Sequence, residues 1–161
     1  MTIAELTSGW ARPSIDRAMS GDAERLRALL DRGSESESIV LSRMALEALR
    51  DACARAAQEN WDGYGAQAVS PAVRGQAESF LRVLPTTAPV PDVVPEPDGE
   101  IAFEWDRGPW RVFSVSVGPS GTLSYAGLYG RKAKVHGTEL FMNRLPKSIA
   151  DGLARLIALG D

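Results

Sequence analysis

Side-chain catalysis near neutral pH most often recruits histidine, and this chain offers one, His136, in a segment whose alternation predicts a strand. In a Ser/His/Asp triad the imidazole stands between a nucleophile and an orienting acid, and no spacing in the chain signals that set. The Gly-x-Ser-x-Gly pattern that lifts a serine onto a tight strand-to-helix turn is absent. The single cysteine, Cys53, falls on the apolar stripe of a helix, where burial keeps a thiol protonated and inert. No residue is assigned a catalytic role on these grounds.

Metal sites need several His, Cys or carboxylate ligands at fixed spacing. The nearest approach is Glu96, Asp98, Glu100, Glu104 and Asp106. Asp98-Gly99 reads first as a turn, and Glu100, Glu104 and Asp106 face solvent if Ile101, Phe103 and Trp105 face inward. The plain reading is a solvated acidic strand face; the sharp one is a cluster that takes a divalent cation or a basic partner. The expectation is no metal and no cofactor. Gly118-x-x-Gly121 and Gly127-x-x-Gly130 are turns, because neither precedes a helix whose amino end could receive phosphate.

Tryptophan is enriched in binding hot spots as well as in cores, and the chain has four: Trp10, Trp61, Trp105 and Trp110. Trp105 fits the inward positions of a strand, whereas Trp110, beside Pro109 in a hairpin loop, is the best candidate for an exposed aromatic. The segment Asn60-Trp61-Asp62-Gly63-Tyr64-Gly65-Ala66 is the most unusual in the chain. Its glycines force a compact turn, and Trp61 and Tyr64 supply large bodies that either clamp neighbouring helices or meet a partner. The candidate partner-binding residues are Trp61, Asp62, Tyr64, Glu104 and Trp110.

The elements that would position these residues follow from periodicity. A short helix capped by Asp22 and stopped by Gly33 carries Leu26, Leu29 and Leu30 on one face. Ser34-Glu35-Ser36-Glu37-Ser38 reads as a polar linker. The longest helix spans Ile39 to about Asn60, with Ile39, Leu46, Leu49, Cys53 and Ala56 on its apolar side. Ser70-Pro71 opens another helix that Pro85 ends, and the proline-rich stretch to Pro97 is at most an edge strand. The period then becomes two through Ile101–Asp106, Phe113–Val117, Leu123–Tyr125 and Val135–Phe141, joined by short loops that permit only antiparallel neighbours. Pro146 opens a closing helix with Ile149, Leu153, Leu156 and Ile157 on one side. The fold expected is α+β: N-terminal helices, a four- to five-stranded antiparallel meander, and a C-terminal helix packed on it. Residues 1–38 form a helical extension with its linker, and 39–161 a single domain.

The chain has 161 residues, 44% of them apolar and 24% charged, enough for one domain with a core of its own. A net charge of -3 argues against a surface built to grip phosphates, so nucleic acid is not the expected partner. The first residues do not read as a leader peptide and no stretch approaches about 18 apolar residues, so the setting expected is a soluble protein of the cytoplasm without a membrane partner.

The segments Asn60–Ala66, Pro95–Trp105, Ser124–Gly130 and Leu145-Pro146 together resemble a widespread set of small uncharacterised bacterial proteins. These share a Trp-Asp-Gly-Tyr-Gly-Ala turn, a Pro-Asp-Gly-Glu-Ile run ending in Glu-Trp, and a final Leu-Pro helix. The resemblance covers roughly residues 45–157 and implies membership of that family without implying an activity.

The functional expectation is a non-catalytic protein-binding or regulatory module, of the kind that serves as the antitoxin-like, immunity or accessory member of a bacterial gene pair. The alternatives are an enzyme of unfamiliar type using Asp62, Asp98 and Glu104 in a hydrolase-like carboxylate cluster, and a phage or mobile-element inhibitor of a host defence system. The last would need a more acidic surface than a charge of -3 supplies if it worked by mimicking nucleic acid.

Overall fold

A computed structural model of the chain describes residues 15–158, the side chains of 15–23 and 34–36 excepted. The chain divides between Glu37 and Ser38 into two compact units. In order the elements are α1 (Ile15–Arg55), α2 (Pro71–Val83), β1 (Asp92–Pro95), β2 (Ile101–Asp106), β3 (Arg111–Val117), β4 (Thr122–Tyr129), β5 (Lys134–Leu140) and α3 (Lys147–Ala158).

Helix α1 corrects the sequence reading in three places. It is unbroken through Gly33 and Ser34–Ser38, so these residues neither stop a helix nor form an irregular linker. One glycine costs a helix only about 1 kcal/mol relative to alanine, and glutamate is a good helix former, so two flanking helical segments can propagate through the run. The expected start at Asp22 likewise lies inside α1, and the helix ends at Arg55, short of Asn60. Ile39 is 61% exposed, because ten residues up the helix it is rotated about 80° away from Leu49. The buried line is Ala45, Leu49, Ala52 and Cys53, continued by Ala56. In the unit of residues 1–37, Leu26, Leu29 and Leu30 are exposed on the helix. Trp10 lies outside the described residues.

Helix α2 begins where the Ser-Pro pair places it. Pro71 occupies the first turn and the Ser70 hydroxyl accepts from the Val73 amide at 3.3 Å. It buries Val73, Ala77 and Phe80. The five strands pair in sequence order, all antiparallel, so the sheet is the expected meander with the short, proline-bounded β1 at one edge. Register sets the faces: Phe103 pairs with Val115 and Trp105 with Phe113, all buried, whereas Glu104 pairs with Ser114 on the opposite side. The adjacent Ala102 is also buried, a methyl flanked in register by Val94 and Ser116.

Helix α3 packs on β3 and β4 and buries Ile149, Gly152, Leu153 and Leu156. The α+β arrangement is thus two-layered, with the core between the helices and one sheet face. Stacked and edge-on contacts of Phe80 with Phe103 and Phe141 link α2 to that face. Among the described residues no helix is long and apolar enough to cross a membrane.

Candidate functional site

Between α1 and α2 the chain reverses through Asn60–Ala66, and three residues there adopt positive φ: Asn60 at 60°, Gly63 at 78° and Gly65 at 96°. Two glycines and an asparagine are the residue types that tolerate this geometry. The polar side chains then close the turn on itself. Asp62 Oδ1 accepts from the amides of Tyr64 at 2.8 Å and Ala66 at 3.1 Å, and Asn60 Oδ1 accepts from the Gly65 amide at 2.7 Å. The Asn60 amide donates to the Ala66 carbonyl at 2.6 Å. The amides of Tyr64 and Ala66 hold the Asp62 carboxyl below its ordinary value.

Trp61 and Tyr64 have different duties in this turn. The Trp61 indole donates to the Gln67 carbonyl at 3.0 Å and packs against the core as a half-buried ring. Tyr64 is 94% exposed and contributes nothing to the core. The clamp expected of both rings belongs to Trp61 alone.

The turn is joined to the acidic β1–β2 hairpin. The Gln67 amide donates to the Pro97 carbonyl at 2.8 Å, and Gly99, at φ 85°, lies so close that a Cβ there would stand 3.1 Å from the Ala68 carbonyl oxygen. Asp98 closes that hairpin by accepting from the Glu100 amide at 3.1 Å. Carboxylate oxygens of Glu96, Asp98 and Glu100 lie within 4.8 Å of one another. Partial burial, with the charges of Asp98 and Glu96, pushes the Glu100 carboxyl up. Three acids crowded with no base among them make a focus of negative potential.

The remaining candidates stand elsewhere. Glu104 is exposed in the middle of β2 on the face away from the core. Trp110, 51% exposed with φ 65°, sits in the β2–β3 turn at the other end of β2, roughly 20 Å from the β1–β2 turn at about 3.3 Å per residue. The five candidates therefore fall in three places, and only Trp61, Asp62 and Tyr64 come together. His136 is exposed on β5 and shares a row with Glu104, Ser114 and Ala126, three strands and about 14 Å from Glu104. Asp98, Glu104 and His136 thus do not converge, and Asp62 is occupied in holding its turn. Cys53 is buried, and desolvation pushes its thiol up despite the opposing charge of Arg74.

Of the acidic cluster read from the sequence, Glu96, Asp98 and Glu100 come together and Glu104 and Asp106 do not join them, because the hairpin signalled by Pro97-Asp98-Gly99 folds the first three back on one another. One feature escaped the sequence reading. A cleft of about 270 Å³ lies between α1 and the proline-rich segment after α2, walled by Leu41, Ala45, Leu81, Leu84 and Pro89. Its aliphatic walls present Ser38, Ser42 and Arg82 as polar groups, and the Arg82 guanidinium stands 3.5 Å from Glu78. Comparison of the chain with protein-family models, with curated proteins and with solved structures finds no match in any of the three, so the motif resemblance rests on its residues alone.

Proposed function

We propose that the protein is a non-catalytic protein-binding or regulatory module, the antitoxin-like, immunity or accessory member of a bacterial gene pair, and that it meets its partner through the Trp61 turn. The observation that carries this reading is Tyr64, 94% exposed on a turn whose own side chains already hold its backbone. An aromatic presented on a preorganised turn loses little freedom when covered, and tyrosine is over-represented among residues that dominate binding energy. The neighbouring Glu96, Asp98 and Glu100 favour a partner segment rich in lysine or arginine, whose cation also gains from the face of the Tyr64 ring. The distance of Glu104 and His136 from the joined turns of Asp62 and Asp98, with Asp62 engaged by its own turn's amides, weighs against the hydrolase-like alternative.

Affinity purification of the tagged chain from its host, with the neighbouring gene's product followed as prey, tests the reading. Tyr64→Ala is expected to weaken capture about thirtyfold, the roughly 2 kcal/mol typical of an anchoring aromatic. Glu96→Gln combined with Asp98→Asn should lower its sensitivity to salt. Capture unaffected by Tyr64→Ala moves the contact away from this turn, and a turnover assay that responds to Asp98→Asn or Glu104→Gln overturns the non-catalytic reading.

A further inference from the structure

Helices α2 and α3 cover one face of the sheet, and among the described residues Glu104, Ser124, Ala126, Leu128 and His136 on the other face are exposed, although Ala102 there is buried. Antiparallel sheets often leave one face to water. On this one the charge is unevenly placed. The outward positions of the two central strands β3 and β4 are short or apolar, among them Ser114, Ser116, Ser124 and Ala126, with Val112 and a 39% exposed Leu128. All charge is on the flanks. Asp92, Glu104 and Asp106 line the β1–β2 side and Lys134 the β5 side, where His136 also stands.

Register puts an acid and a base at the two ends of the same row. One row runs Glu104, Ser114, Ala126, His136, and the next Asp106, Val112, Leu128, Lys134. A two-fold axis parallel to the strands and passing between β3 and β4 exchanges β2 with β5 and β3 with β4 while leaving each row at its own height. It lays Asp106 of one copy over Lys134 of the other, Glu104 over His136, and Val112 over Leu128, each contact occurring twice. An axis across the strands would instead set acid on acid. The short central side chains allow two sheets to approach to the usual spacing of about 10 Å.

We propose that this open face binds a second copy of the chain, face to face about that axis. Such an interface is isologous and closes at two copies. Only β2–β5 overlap about this axis, so the footprint, about 19 Å across four strands by about 20 Å along six residues, is roughly 400 Å² per copy, below the usual size for specific association. The dimer is therefore weak, with a dissociation constant on the order of 100 μM and a dependence on salt.

Sedimentation equilibrium of the full chain over a concentration series tests this. The wild type is expected to associate reversibly to a dimer. Asp106→Lys and Lys134→Asp should each weaken association tenfold or more, because each sets like charges opposite one another twice. An equimolar mixture of the two variants should recover it, since every pair in the mixed dimer is again of opposite sign. Recovery also excludes misfolding of either variant as the reason for its loss. Ser124→Arg, bulky and charged at the centre, should abolish association, whereas Tyr64→Ala should leave it unchanged, which separates this interface from the partner contact of the Trp61 turn. A wild type that stays monomeric at millimolar concentration overturns the proposal. So does a dimer that resists both Ser124→Arg and Asp106→Lys, or a mixture that fails to recover.

Discussion

Gly152 is the position where one added carbon has the clearest consequence. A Cβ there would stand 2.5 Å from Cε2 of the fully buried Phe113 and 2.9 Å from the Tyr129 hydroxyl. A glycine inside a helix normally loses roughly 0.5–1 kcal/mol against alanine, but here the contact reverses the sign. Gly152→Ala is expected to destabilise by about 1–3 kcal/mol, lowering the melting temperature by about 2–4 °C for each. A calorimetric scan reads this, and a higher melting temperature would mean that α3 stands further from the sheet. Beside it, the Tyr129 hydroxyl donates to the Gly152 carbonyl at 2.9 Å. Burial pushes that phenol up, while Arg155, 4.4 Å above the ring, works the other way. A phenol held protonated stabilises the fold below about pH 10, and that contribution disappears as pH rises through the folded-state value. Tyr129→Phe should therefore lose about 1 kcal/mol near pH 8 yet decline less steeply above about pH 10. Denaturation midpoints of both proteins across that range decide it, and parallel slopes would refute it. Neither residue announced its role in the sequence, because nothing local marks which glycine will face a ring. Phe103 and Trp105 did, since alternation alone sends them inward.

At the level of elements, strands and the two later helices were legible, and the first helix was legible as two segments but not in its continuity. Strand faces follow from a period of two, Pro71 and Pro146 mark helix starts, and short loops dictate the meander. Ser34–Ser38 misled because its composition suits either a linker or an exposed stretch of helix, and cooperative propagation from both sides decides between them. The Trp61 turn was recognisable, but its junction with the β1–β2 hairpin through Gln67 and Pro97 is a tertiary contact between segments about 30 residues apart, beyond the reach of local pattern. Helix α3 offers the sharpest test at this scale. It buries Ile149, Leu153 and Leu156, each worth about 1.5–3 kcal/mol, against a typical total stability of about 5–15 kcal/mol. Ending the chain at Leu145 should therefore yield insoluble or unfolded protein. A truncated chain that stays soluble and melts cooperatively near the parent temperature would show that α3 is dispensable.

For the whole molecule, what matters is where its stability resides. Every buried residue among those described, from Ala45 to Leu156, falls in the unit of residues 38–161, whereas Leu26, Leu29 and Leu30 of the other unit are exposed. A side chain left in water contributes little to folding however apolar it is, so stability follows the buried set and not the full count of leucines. The stretch of α1 from Ser38 still supplies Ala45, Leu49, Ala52 and Cys53 to the core, and docking onto the core rather than intrinsic propensity keeps such a segment helical. Residues 38–161 produced alone should consequently melt in a single transition within a few degrees of the full chain. A fall of about 10 °C, on the order of 3 kcal/mol for a domain of this size, would assign residues 1–37 a share of the core. The Trp61 turn and the open sheet face both belong to this unit, so the shortened chain should also retain partner capture and weak pairing. Loss of either with an unchanged melting temperature would assign that contact to the first 37 residues instead.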